Sequence, residues 1–433
     1  MPDRIKECGV LDELQSGNQQ LMRDINVSNV LNVLRVKDTV SRVELAQALG
    51  LGKSTITVIV HALMGCGAVE ELGIQQSSMG RKPRLLRMNP NWKYVISVRL
   101  DVSQIHMGIV NLKGHIVYNR KIVRPLRGRS WDDILRELVL LIRTLCIDAK
   151  IDWDQDVLGL ALALPGVINS FTGVSVSRLS NWLEFPIASW LTEALGKGVV
   201  VENDANALCL GERMKCTLTD LDDMLVMLVE DGIGAGIIAN GMMVRGGSLG
   251  AGQIGHMKVS DRGGLCSCGQ TGCLETFVSN SAVKDNFLSR LSPNVAEEVG
   301  TKIGKPLDQL DVRTIARLAK EGVPDALRVM DEVGFYIGRT VTTVVNILNP
   351  ARVVIGGPLF EEAEHMMLER IWQLIRDETA PVLWNNLQLR VLRDKTETML
   401  LGAASQILDE PFRVRYDGSG DSMEVSLVRN VGV

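Results

Sequence analysis

The segment VLGLALALPGVI, Val157 to Ile168, constrains the fold more than any other. It is apolar almost throughout, shows no alternation, and falls well short of the roughly 20 residues a bilayer-crossing helix needs. A run of this kind suits a strand buried on both faces. Such a strand needs helices above and below it, so an α/β fold is expected. With 433 residues the chain has room for two or three domains and a large core. Its net charge of -4 excludes whole-molecule attraction to nucleic acid but leaves room for one small binding module. The opening MPDRIKECGVLDELQSGNQQ is polar and lacks the pattern of a secretory signal; residues 1–20 are expected to be a flexible tail. Cys8, Cys66, Cys146, Cys209 and Cys216 follow no spacing pattern, which favours a reduced, cytoplasmic protein with no membrane association.

Residues 21–90 read as a small DNA-binding head. INVSNVLNVLRV carries Ile25, Val30, Val33 and Leu34 at helical spacing. SRVELAQALG opens with Ser41 and has Glu44 three positions on, a capping box, and Gly50 closes that helix. LGKSTITVIVHALMGCG follows after a short turn, giving a helix-turn-helix. The second helix starts with Lys53, Ser54, Thr55 and Thr57, residue types that reach base edges and phosphates, while Ile56, Ile59, Val60 and Leu63 face inward. AVEEL and RLLRM are expected to pair around the basic loop GRKP, forming a wing that offers Arg81 and Lys82 to a minor groove. A helical adaptor with a solvated basic loop would show the same pattern.

From about Asn91 the chain alternates strand meanders and helices, with two strand groups and glycine-rich turns at corresponding places. Two α/β lobes are expected, over 91–215 and 216–407, with a ligand cleft between them and the final helix returning to the first lobe. Residues 408–433 form a tail. Between the glycine turns lies AGQIGHMKVSDRGGLCSCGQTGCLET. His256, Cys266, Cys268 and Cys273 supply four ligands, the number tetrahedral zinc takes, although a Cys-x-Cys pair is tighter than usual. Disulfide or thiol chemistry remains the alternative at this point.

The order of these segments resembles a known family. SRVELAQALGLGKSTITVIV, GRKP, LALPGVIN, VVVENDANALCLGE, DGIGAGIIANG, GQIGHM, CSCGQTGCLE and NPARVVIGGPL follow the pattern of the ROK family (repressors, open reading frames and sugar kinases), in its repressor branch. The resemblance runs from about residue 20 to 407. It implies a two-lobe, actin-like and ribonuclease-H-like sugar-binding body behind a winged helix. It further implies one structural Zn2+ per chain on His256, Cys266, Cys268 and Cys273. Its branch answers sugars of the xylose, N-acetylglucosamine and glucose types.

The family holds kinases as well as regulators. Where its kinases carry Asp-x-Gly-Gly-Thr, this chain has Asp101 followed by Val102, Ser103 and Gln104. Where they carry Gly-Thr-Gly, it has Glu230-Asp231-Gly232, two carboxylates facing a polyanion. No enzyme activity is therefore expected. The sugar end is better kept: Asn203, Asp204, His256 and Glu275 match sugar-contacting positions, with Asp204 at the place of the kinases' general base. Asp204 would also cap the helix ANALCLGE. Gln253 stands where the family has Glu, and Asn181 is a looser candidate. The expected function is a sugar-responsive repressor of carbohydrate uptake and catabolism genes, with a sugar or sugar phosphate as effector and operator DNA as partner. A homodimer or homotetramer would present paired heads. The competing reading is an ATP-dependent sugar kinase with a DNA-binding head.

Overall fold

A computed structural model describes residues 8–74, 84–126, 128–176, 184–215, 222–304, 306–408, 415–416 and 423–424. The head begins with α1 (Cys8–Val36), followed by β1 (Val40–Ser41), α2 (Arg42–Leu49), α3 (Lys53–Gly65), β2 (Val69–Ile74) and β3 (Arg84–Met88). Residues 8–20, expected as a loose tail, belong to α1 instead. Their polarity misled: Glu, Gln and Leu are good helix formers, and polar surface alone does not interrupt a helix. The capping box forms as read. Ser41 Oγ accepts from Glu44 N at 3.3 Å, and the Glu44 carboxylate accepts from Ser41 N at 2.7 Å. Gly50 sits at φ 64, which allows a tight turn into α3, bent 119° from α2. The wing strands complete a three-stranded sheet in the order β1-β3-β2.

The first lobe contains β4 (Tyr94–Leu100), β5 (Gln104–Asn111), β6 (Ile116–Val123), α4 (Trp131–Ala149), α5 (Trp153–Asp156), β7 (Val157–Leu164), β8 (Val167–Asn169), β9 (Val174–Val176), β10 (Glu184–Pro186), α6 (Ile187–Leu195), β11 (Gly198–Asn203) and α7 (Asp204–Met214). Its main sheet runs β11-β7-β4-β5-β6. The apolar run is β7, parallel to both neighbours and buried at every position except Leu158. Ile96, Val98 and Leu162 pack with α4 and α6 on one face, whereas Val95, Ala161 and Ala163 face the other.

The second lobe contains β12 (Met224–Val229), β13 (Ile233–Ala239), β14 (Met242–Met243), α8 (Glu275–Val278), α9 (Asn280–Arg290), α10 (Pro293–Ile303), α11 (Val312–Lys320), α12 (Pro324–Leu348), β15 (Arg352–Gly356), α13 (Pro358–Glu362), α14 (Glu364–Glu378), α15 (Pro381–Trp384), β16 (Gln388–Val391) and α16 (Lys395–Leu408). Its sheet runs β14-β13-β12-β15-β16. Helix α16 crosses back to the first lobe, where Ser97 Oγ donates to Leu400 O at 2.7 Å. It lies against α7 at two glycines. A Cβ on Gly402 would sit 1.7 Å from Ala207 O, and one on Gly211 would sit 1.8 Å from Thr398 O. In the tail, Arg415–Tyr416 pairs with Met423–Glu424. Among the described residues no single helix is long and apolar enough to cross a membrane.

Head and body share contacts near α7. A Cβ on Gly114, in the β5–β6 turn, would meet Met214 Cε at 2.8 Å. The adjacent Lys113 Nζ pairs with Asp38 Oδ1 of the head at 2.7 Å, and Leu112 N donates to Pro90 O at 3.0 Å.

Candidate functional site

The cysteine loop folds back on itself through two isolated bridges, Lys258–Cys273 and Leu265–Thr271. Gly272, at φ 79, makes this possible, since a Cβ there would lie 1.9 Å from Ser260 O. His256, Cys266, Cys268 and Cys273 thereby meet, their ligand atoms all within 4.8 Å of one another. His256 Nδ1 lies 3.4 Å from Cys266 Sγ, and Cys268 Sγ lies 3.6 Å from Cys273 Sγ. A tetrahedral ion with bonds of about 2.0–2.3 Å separates its ligands by about 3.5–3.8 Å, so the donor set fits a metal ion. The backbone N–H of Gln270 holds the Cys268 thiol below its ordinary pKa, towards the ligating thiolate.

The segment GQIGH is pressed onto β13. A Cβ on Gly252 would lie 1.8 Å from Ala235 O, and one on Gly255 2.5 Å from Ile233 O. Only glycines permit this approach, and it fixes Gln253 and His256 at either end of a single turn of 3₁₀ helix, Ile254–His256. Glu275 opens α8, is buried, and accepts from Ser267 Oγ at 3.3 Å. Its Oε2 stands 4.0 Å from the place a Cβ on Gly232 would take.

Asn203, not Asp204, caps α7: its Oδ1 accepts from Ala205 N at 2.9 Å and Asn206 N at 3.1 Å. The cap needs a residue with extended backbone, and Asn203 ends β11 at ψ 143. Its Nδ2 donates to Gly166 O at 2.8 Å, so most of its polar capacity is committed to structure. Asp204 is then the first helical residue. Burial pushes its carboxyl up to about 6; Arg99 acts in the opposite sense, and Glu230 and Asp101 add to the rise. The folded value exceeds the ordinary 3.8, so the stability the protonated form contributes is present below about pH 4 and lost as pH rises through 6. Asp204→Asn is expected to raise the melting temperature at pH 7, with the gain disappearing by pH 4. A loss at pH 7 in paired pH–melting series would contradict the assignment.

Ion pairs flank Asp204 on both sides and join the lobes. Glu202, fully buried, meets Arg245 of the second lobe at 2.7 Å, an electrostatic contact without hydrogen-bond alignment. Arg245 also donates to Ser170 Oγ at 2.7 Å. On the other side Arg99, 4 % exposed, bonds Asp101 at 2.8 Å and reaches Glu230 at 3.4 Å. Lys395, at the start of α16, pairs with Glu230 as well. The turn Asp101–Gln104 is strapped by the segment that follows β6, with Arg124 N donating to Ser103 O and Leu126 N to Val102 O. Sequence reasoning missed Glu202, Arg245, Arg99 and Lys395, because the contacts by which they join the lobes, Glu202–Arg245, Arg99–Glu230 and Lys395–Glu230, pair residues far apart along the chain.

In the head, Lys53, Ser54, Thr55 and Thr57 are exposed on α3, while Ile56, Ile59, Val60 and Leu63 are buried. Val58 is 61 % exposed on the same helix, an apolar group off the core stripe that could meet a thymine methyl. Arg84 and Arg87 pair with Glu71 and Glu70 across the wing strands. Arg81, Lys82 and Asn181 lie outside the described residues.

The sequence matches the ROK family over residues 95–410. The chain belongs to the ROK family. Its ROK relatives include the xylose repressor of Caldicellulosiruptor bescii, 29% identical over 395 residues, covering 91% of this chain and 98% of that protein. The DNA-binding transcriptional dual regulator NagC of Escherichia coli is 27% identical over 379 residues, covering 87% of this chain and 90% of that protein. Among solved structures, a ROK family transcriptional regulator described as a homolog of E. coli MLC protein matches at TM-score 0.76 and 25% identity, covering 95% of this chain and all of that one. The ROK hexokinase of Thermus thermophilus matches at TM-score 0.58 and 26% identity, covering 72% of this chain and 96% of that one. Repressors therefore match head and body together, whereas this ROK kinase covers less of the chain.

Proposed function

We propose that this ROK chain is a sugar-responsive DNA-binding repressor of carbohydrate uptake or catabolism genes, without kinase activity. The observation that carries this reading is the Arg99–Glu230–Lys395 network. Phosphoryl transfer needs backbone N–H groups and cations free to approach a polyanion. Here the two cations are already engaged by Glu230, and Val102 and Ser103 add side chains at the neighbouring turn. A coupled ADP-release assay over a sugar panel is expected to stay at background; robust turnover with any sugar would overturn this part of the proposal.

Sugar hydroxyls would meet Glu275, which stands near Gly232 of the β12–β13 turn, and Asp204, which feels the charge of Glu230 in the same turn, with Asn203, Gln253 and His256 as further contacts. A carboxylate accepts several hydrogen bonds from adjacent hydroxyls, and the uncharged Gln253 both donates and accepts. The names of the repressor relatives favour a xylose-type effector. Zn2+ would be held by His256 Nδ1 and the three thiolates; four protein ligands leave no open position, so it shapes the loop rather than reacting. With Nδ1 on the metal, His256 Nε2 is the nitrogen left for a sugar hydroxyl.

DNA would be read by Lys53, Ser54, Thr55 and Thr57, together with Arg81 and Lys82 of the GRKP segment. A homodimer or homotetramer would set two heads on a palindromic operator. Helix α7 is the natural lever between sites, since it starts at Asp204 and ends at Met214, against the turn that holds Asp38 of the head. Ligand binding that favours one lobe arrangement would thus change operator affinity.

A further inference from the structure

The joint between head and body is short, and every residue in it is bonded. Five residues, Asn89 to Lys93, connect β3 to β4. A flexible tether is rich in Gly and Ser and makes few bonds of its own. Here Asn89 N donates to Ala68 O at 2.8 Å and its Nδ2 to Gly67 O at 3.0 Å, both just past the end of α3. Pro90 O accepts from Leu112 N at 3.0 Å, and Asn91 N donates to Asn89 Oδ1 at 3.0 Å. Trp92 N donates to Asn89 O at 3.3 Å, and Lys93 Nζ donates to Gln155 O of the first lobe. From the body, Asn111 uses both ends of its amide and is only 4% exposed. Its Oδ1 accepts from Lys113 N at 3.1 Å and His115 N at 3.0 Å, which folds the β5–β6 turn. Its Nδ2 donates to Asn91 Oδ1 at 3.0 Å. A relay of amides thus runs from that turn through Asn111, Asn91 and Asn89 to Gly67, directly behind the helix expected to read DNA. Apolar packing follows the same route. Leu63 and Met88 of the head share one buried cluster with Val95, Val110 and Leu112 of the first lobe, and Trp92 packs against it.

A satisfied polar network specifies one geometry, because each member holds the next. Asn91 is itself exposed, so its side chain serves the relay and not the core. We propose that Asn91 and Asn111 are positioning residues for operator binding. They fix α3 to the first lobe, so that the head turns with that lobe and not on a loose tether. This rests on the repressor reading and adds to it the route by which the body sets the angle of the head. The same β5–β6 turn meets Met214 at the end of α7, so a shift of α7 would move the head as a unit. A head free to rotate would have to be ordered again on DNA, and that cost would appear as weaker binding.

Asn91→Ala and Asn91→Asp in the full chain test the proposal. The aspartate keeps an oxygen that accepts from Asn111; the alanine has none. Backbone amide exchange, followed by mass spectrometry, should quicken about fivefold over residues 89–93 and 111–115 in Asn91→Ala, the scale of one hydrogen bond, and stay at the wild-type rate in Asn91→Asp. Operator affinity without sugar should fall by a similar factor in Asn91→Ala, while sugar affinity by calorimetry stays unchanged. Wild-type exchange in Asn91→Ala overturns the proposal, as does an unaltered operator affinity. An aspartate variant whose joint exchanges as fast as the alanine variant's overturns it too. The exchange readout needs neither sugar nor DNA, so it judges the joint even where the wild-type protein binds no operator, a result that would instead refute the repressor reading.

Discussion

Cys268→Ser is expected to strip the metal from the loop and to abolish the response to sugar in the same step. Cys268 is the exposed member of the His/Cys group, so the substitution leaves the core packing around Cys266 and Cys273 in place. A hydroxyl is a poor substitute for a thiolate, and structural zinc is worth about 10–16 kcal/mol in small zinc domains. Losing one of four ligands should lower retention by orders of magnitude. The loop would then lose the clip that aligns His256 and Glu275, leaving the sugar contacts misplaced. Metal content by mass spectrometry and sugar affinity by calorimetry check the two halves together. A zinc-free variant with normal sugar affinity would refute the scaffold role.

Gly402→Ala gives the second large effect, and its sign is informative. In an open helix the change would stabilise by about 1 kcal/mol, because Ala is the better helix former. In α16 the new methyl would fall 1.7 Å from Ala207 O, on the backbone of α7, which cannot step aside without moving the helix. Overpacking of this kind costs about 1–3 kcal/mol. We therefore expect a lower urea midpoint and a weakened link between sugar and operator, since α7 carries Asp204. A higher midpoint would mean that the two helices separate freely, and that α7 is no lever.

Local chemistry was readable from the sequence, and long-range pairing was not. Ser41 and Glu44 announce their capping box within three positions, and the run from Val157 announces a two-face strand because it carries no polar side chain to mark a solvent face. The His256–Cys273 group is legible because its ligands lie within one loop. Errors arose where neighbouring residues competed for a role or where polarity stood in for structure. Asn203 took the cap expected of Asp204, since β11 delivers its extended backbone one residue earlier, and Asp204 becomes the first helical residue. Residues 8–20 joined α1 because nothing in them forbids a helix. Glu202 with Arg245, and Arg99 with Glu230, are ion pairs that only the juxtaposition of two sheets creates. The glycines of DGIGAGIIANG also needed the structure. Gly236 is there for packing, since a Cβ would lie 2.4 Å from Cys209 Cβ and 2.5 Å from Ala205 O.

The most direct test of the central claim is an operator-binding measurement with sugar added. Fluorescence anisotropy would follow the full chain on labelled duplex from the region upstream of its own gene, titrated with xylose and other sugars at fixed salt. The account predicts that one sugar shifts operator affinity by about 5–150-fold, the range of ordinary allosteric coupling, and that Asp204→Ala removes the shift while leaving sugar-free binding intact. An operator affinity that no sugar moves, or a full shift retained in Asp204→Ala, would contradict it.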